Sequence, residues 1–205
     1  GPSAFSSTTR GIWAGGGGTN TMEFITFAST GDATNFGDLL ELANNAGSVS
    51  DSTRGVIATG GIPSSPGRRD NINFVTMAST GTAKDFGNAS FSGGANGMGC
   101  ASPTRGIIGG AYVSGYVNTL EYLTISTTGN TADFGDLTST RYGGAGASNA
   151  VRGVFMSGTA PSASPGLYSS SDYITIASTG NSQTFGSFRY GEKAASCGSP
   201  TRGIF

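Results

Sequence analysis

The chain has 205 residues, 36 of them glycine, with 36% apolar, 10% aromatic and 11% charged residues and a formal net charge of -1. That much apolar and aromatic content excludes simple disorder, the charge balance provides no basic field for a phosphate backbone, and no apolar run approaches the roughly 20 residues of a membrane span. A soluble, core-forming chain is expected, with neither nucleic acid nor membrane insertion among its interactions.

Taken in chain order, Gly1-Pro2 reads as the scar left when a protease removes an expression tag. From Ala4 onward the sequence is periodic. Arg-Gly recurs at Arg10, Arg54, Arg105, Arg152 and Arg202, and Thr-Gly followed five residues later by Phe-Gly recurs at Gly31/Phe36, Gly81/Phe86, Gly129/Phe134 and Gly180/Phe185. Two independent anchors in constant order set four units, at approximately 4–45, 46–94, 95–143 and 144–193, and a partial fifth at 194–205.

Each unit reads as four short strands, A to D. The first unit places A and B within Ala4 to Trp13, C at Phe24 to Phe27 and D at Phe36-Gly37. Its Gly15 to Gly18 run resembles a phosphate cradle only superficially, because a strand pattern follows it where a helix is required. The second unit has A at Ala46 to Ser50, B from Gly55, a connection from Ile62 to Asp70 carrying Arg68 and Arg69, then C and D. The third has A at Gly97 to Ala101, B from Gly106 and a connection from Ala111 to Asn118 with Tyr112 and Tyr116; Arg141 and Tyr142 follow its strand D. The fourth has A at Gly144 to Ser148, B from Gly153, a connection from Thr159 to Ser170 with Tyr168, and Arg189 and Tyr190 after strand D. The partial fifth has A at Ala194 to Gly198 and then Thr-Arg-Gly-Ile-Phe.

Strand C carries the clearest β signal. Ile25/Phe27, Val75/Met77, Leu123/Ile125 and Ile174/Ile176 alternate with Phe24/Thr26, Phe74/Thr76, Tyr122/Thr124 and Tyr173/Thr175, so both faces are fit for burial. The Ser-Thr-Gly or Thr-Thr-Gly turn then reverses the chain, because glycine accepts positive φ. Units of this length cannot cover both apolar faces alone and must stack on their neighbours; the period-2 pattern excludes a helical solenoid. The expected fold is an all-β propeller of four-stranded blades, four full repeats plus an extra two-strand segment. It is four- or five-bladed, or closed by strand exchange in a homo-oligomer through the spare A-B pair.

A glycine pair closing strand B, an aromatic residue in strand C, another in strand D, and Leu137-Thr138-Ser139-Thr140-Arg141 after it together resemble the kelch repeat. The family's strand-D tryptophan is phenylalanine here. Thr201-Arg-Gly-Ile-Phe205, Tyr173-Ile-Thr-Ile-Ala-Ser-Thr-Gly-Asn181 and Asp133-Phe-Gly-Asp-Leu137 resemble repeats in structural proteins, tail components especially, of marine bacteriophages. That resemblance implies a virion or extracellular surface location.

In an antiparallel A-B-C-D unit the B-C and D-A connections share one side, and here they alone vary in length. That side gathers Arg68, Arg69, Tyr112, Tyr116, Arg141, Tyr142, Tyr168, Arg189 and Tyr190, residue types suited to stacking on a sugar ring and forking onto hydroxyls or carboxylates. The expected partners are a receptor glycan or a virion or surface protein subunit. The Arg of each Thr-Arg-Gly or Val-Arg-Gly turn is expected instead to bind strand-end carbonyls or acids such as Asp38 and Asp136.

No catalytic residue, metal ligand or cofactor is expected. Histidine is absent, neither a Gly-x-Ser-x-Gly elbow nor a Ser-x-x-Lys pair is present, and the acids Glu23, Glu121 and Asp172 recur by repeat as sheet partners would. Cys100 and Cys197, at equivalent places in two A strands, are expected to be small interior residues. A cellular lectin or adhesion module and a glycan-degrading enzyme are the competing readings.

Overall fold

A computed structural model describes residues 1–61, 69–90, 97–161, 169–188 and 194–205, with the backbone alone for Thr59 and Arg69. Its described residues form strands and no helix. The first sheet runs β1 (Ser3–Ser6), β2 (Arg10–Gly16), β3 (Thr19–Thr26) and β4 (Thr34–Asp38), and the second β5 (Gly47–Ser50), β6 (Arg54–Gly60), β7 (Arg69–Thr76) and β8 (Lys84–Asn88). The third comprises β9 (Met98–Ala101), β10 (Arg105–Gly109), β11 (Thr119–Thr124) and β12 (Ala132–Asp136). The fourth comprises β13 (Ala145–Ser148), β14 (Arg152–Met156), β15 (Ser170–Thr175) and β16 (Gln183–Ser187), and β17 (Cys197–Gly198) and β18 (Gly203–Ile204) make a two-stranded sheet. Among the described residues all strand pairings are antiparallel between chain neighbours, so five A-B pairs stand against four C-D hairpins.

The A-B turns share one local device. Ser7, Asp51, Ser102, Asn149 and Ser199 each stand three residues before the arginine, and each side-chain oxygen accepts the arginine's backbone N–H at 2.7–3.1 Å. Such side chains mimic a backbone turn and fix the hairpin without a special φ. The C-D pairing carries a β-bulge at one place in every unit. Between Met22 and Glu23 the partner moves from Gly37 to Asn35, leaving Phe36 unpaired, and the same shift recurs at Ile72/Asn73, Leu120/Glu121 and Ser171/Asp172. The bulge twists strand D and turns Phe36, Phe86 and Phe134 into the core.

That core lies between units. One cluster joins Phe5, Ile12, Met22, Phe36 and Leu39 of the first unit to Ile57, Val75 and Met77 of the second; the other two join the second unit to the third and the third to the fourth in the same way. The backbone repeats the arrangement: Gly81, Gly129 and Gly180 donate their N–H groups to Phe36, Phe86 and Phe134 carbonyls of the preceding unit, each at 2.7 Å. The close approach explains the Phe-Gly pair, since a Cβ on Gly37, Gly87 or Gly135 would overlap the carbonyl oxygen of that same turn glycine.

The arginines complete each junction. Arg10, Arg54 and Arg105 lie over the strand-C rings of their own units, Phe24, Phe74 and Tyr122, at 4.4–4.7 Å from the centroids. Their Nη1 atoms donate to the carbonyls of Met77, Ile125 and Ile176 in the next unit at 2.9–3.0 Å. The expected carbonyl partners are found; Asp38 and Asp136 serve instead through their backbone oxygens, which accept from Ala83 and Ser182.

The first strands of the five sheets, β1, β5, β9, β13 and β17, line one cavity of about 290 Å³. Cys100 is buried there beside Gly153, and burial pushes its thiol pKa up. Cys197 does not share that environment. It is exposed: none of the described residues packs over the two-stranded sheet as the fourth unit packs over Cys100.

Candidate recognition site

The B-C connection of the third unit is built to hold two aromatic residues side by side. Val113 donates its N–H to Gly115 O at 2.9 Å and Val117 to Ala111 O at 3.0 Å, closing a tight loop in which Tyr112 and Tyr116 face each other across an antiparallel bridge. The D-A connection brings in Tyr142, fixed by a two-way backbone pair with Thr159 of the fourth unit, at 3.1 and 2.8 Å. The three rings converge: Tyr112 to Tyr116 is 5.5 Å between centroids, Tyr112 to Tyr142 is 5.6 Å and Tyr116 to Tyr142 is 5.3 Å. Tyr112 is exposed and the other two are half-buried, so the cluster presents aromatic surface to solvent while its own edge-to-face contacts hold it in shape.

Arg141, expected beside Tyr142 on this surface, lies beneath it and is fully buried. Its Nη2 donates to Asp172 Oδ2 at 3.1 Å and to Phe155 O at 3.3 Å. A guanidinium so enclosed cannot meet a ligand; it ties the D-A loop of the third unit to the fourth. Arg68, Tyr168, Arg189 and Tyr190 fall outside the described residues, and Arg69 is described only as the first residue of β7, paired with Gly60.

The acids that recur by repeat are structural posts. Asp172 accepts from Thr138 N at 3.0 Å, Thr138 Oγ1 at 2.7 Å and Ser182 Oγ at 3.3 Å, in addition to Arg141. Glu121 takes the same place one unit earlier, accepting from Ser90 N at 3.1 Å, from Ser90 Oγ and from Thr131 Oγ1 at 2.5 Å, and Asn73 does so for Leu40 N at 3.2 Å. Glu23 is exposed. Carboxylates already filled by three or four donors are poor candidates for acid–base chemistry. Among the described residues no group of three or more His, Cys, Asp or Glu side chains is placed to hold a metal ion.

The hydroxyl or Asx side chain three residues before each arginine escaped the sequence reading, whereas the acceptor in the middle of strand C was expected as a sheet partner at Glu121 and Asp172 and missed only at Asn73. The first was findable, because Ser7, Asp51, Ser102, Asn149 and Ser199 form a column once the units are aligned. The second alternates among Asn, Glu and Asp, and its partners lie about 31–34 residues away. The chain matches no protein-family model and no curated protein.

Proposed function

We propose that the four sheets and the terminal two-stranded sheet are the blades of a kelch-like propeller, and that the chain is a non-catalytic interaction module of a phage tail or similar surface assembly. Its B-C and D-A loop face takes a receptor glycan or another subunit. Five inner strands around a common cavity, with every core cluster shared between consecutive units, support the architecture. The observation that carries the functional reading is the Tyr112, Tyr116 and Tyr142 cluster on the face whose loops vary. A sugar ring has an apolar face that stacks on such rings, whose positions are set before binding so that little side-chain entropy is lost.

Glycan-array screening of the full chain tests it. Saturable binding to a defined glycan is expected, weakened about tenfold or more in Tyr112→Ala and Tyr142→Ala. Binding that both variants leave unchanged would remove the cluster from the site, and an array without a saturable hit would leave a protein subunit as the partner of this face.

A further inference from the structure

The last sheet lacks what the three inner junctions possess, and lacks it position by position. Phe36, Phe86 and Phe134 are each 2% exposed, whereas Phe185 is 48% exposed. Phe188 stands where Leu39, Ala89 and Leu137 are buried, yet it is exposed and stacks with Phe185 and against Phe205. Arg152 lies over Tyr173 at 4.5 Å like its counterparts, but among the described residues no following strand C stands beyond it to offer a carbonyl. Gly186 has the positive φ of Gly37, Gly87 and Gly135 and, among the described residues, nothing against it. Arg152, Phe185, Phe188, Arg202 and Phe205 line an open groove of about 260 Å³.

We propose that this groove receives a C-D β-hairpin from outside residues 1–205. The inference rests on the propeller reading above and is independent of the glycan reading. Three copies of the junction inside the molecule specify what the hairpin presents. Its first strand adds antiparallel to the free edge of β18, as β3, β7, β11 and β15 add to β2, β6, β10 and β14. An aromatic residue on that strand lies under Arg202, as Phe24 lies under Arg10. The carbonyl at the strand's end accepts from Arg152 Nη1, as Met77, Ile125 and Ile176 carbonyls accept from theirs. A turn glycine donates to Phe185 O and rests its own carbonyl against Gly186. An Asn after that glycine accepts from Ser187 N, as Asn130 accepts from Asn88 N and Asn181 from Asp136 N, both at 3.0 Å.

The occupant is a hairpin and not a whole sheet of a second copy, because the A-B place is already filled. Ser196 Oγ donates to Gly146 O at 2.6 Å, and Ala147 packs on Gly203 as Val49 packs on Gly106. An intact four-stranded sheet would collide with β17 and β18. The hairpin's far side has a surface to meet as well. Phe27, 57% exposed where Met77, Ile125 and Ile176 are at most 1%, lies on the sheet of β1, the strand that shares the inner cavity with β17.

The probe is a synthetic fluorescein-labelled peptide with the sequence of Thr119–Leu137, titrated into the full chain by anisotropy and calorimetry. One-to-one saturable binding is expected, with no binding of a scrambled peptide. Arg152→Ala and Phe185→Ser in the chain, and Gly129→Val in the peptide, should each weaken it about tenfold or more. The two chain positions are exposed, and an unchanged thermal melt shows that neither variant has unfolded. No saturable binding up to millimolar peptide, or binding that both chain variants leave intact, overturns the proposal. Self-association in sedimentation velocity that releases β17 and β18 overturns it too, since a second copy would then fill the groove. Solution X-ray scattering separates the two readings: a ring-like profile with a silent peptide removes the hairpin alone, and an extended stack removes the propeller.

Discussion

The junction between the second and third units and the open side of the fourth unit are made of the same parts in different company. Phe86 and Phe185 sit in the same bulge of the same hairpin, yet one is buried at 2% and the other exposed at 48%. The difference teaches that burial in this molecule is conferred by the following unit and not by the unit's own fold. A single unit is therefore amphipathic on both sides, and its stability is largely a property of its contacts with neighbours.

Substitutions at paired positions can break that comparison. The largest effect is expected for Phe86→Ala, which empties a core site and should cost about 3–5 kcal/mol in urea unfolding, whereas Phe185→Ala should change stability by less than about 1 kcal/mol. Equal losses would mean that the fourth unit holds its core alone. Next comes the strand-C post. Asp172→Ala leaves Arg141 buried with its counter-ion removed and should cost about 3 kcal/mol, while Glu23→Ala on the exposed equivalent should stay within about 0.5 kcal/mol. Arg54→Ala loses both the stacking on Phe74 and the bond to Ile125 O, about 2 kcal/mol together, against about 0.5–1 kcal/mol for Arg152→Ala, which loses stacking alone.

The smallest test leaves stability untouched. A thiol reagent on the native chain should modify one cysteine quickly, Cys197, and reach Cys100 only on unfolding, because burial disfavours the Cys100 thiolate. Two thiols reacting at one rate would show that the inner strands open as readily as the terminal pair.

The same contrast explains how far the sequence could be read. The units, the strands and the B-C loop tyrosines were legible because Arg-Gly and Phe-Gly keep strict spacing and strand C alternates with period 2. Cys197 misled because a repeat register gives equivalent places and not equivalent neighbours, and among the described residues none packs on the terminal pair as the fourth unit packs on Cys100. Arg141 misled for a related reason. Its neighbour in sequence, Tyr142, faces the loop surface, but its counter-ion is Asp172 of the next unit, a partner no local pattern announces. The tyrosine cluster was half legible, since the loops named its members and only the backbone pair between Tyr142 and Thr159 set the distances that make it one surface.

At each junction the arginine bond runs from one unit to the next and the glycine bond runs back, and this makes the units interchangeable parts with a plug on one side and a socket on the other. Excising residues 95–143 would hand Arg54 the Ile176 carbonyl in place of Ile125, and Phe86 the turn glycine Gly180 in place of Gly129. Duplication or loss of a whole internal unit therefore keeps the pattern of junction bonds.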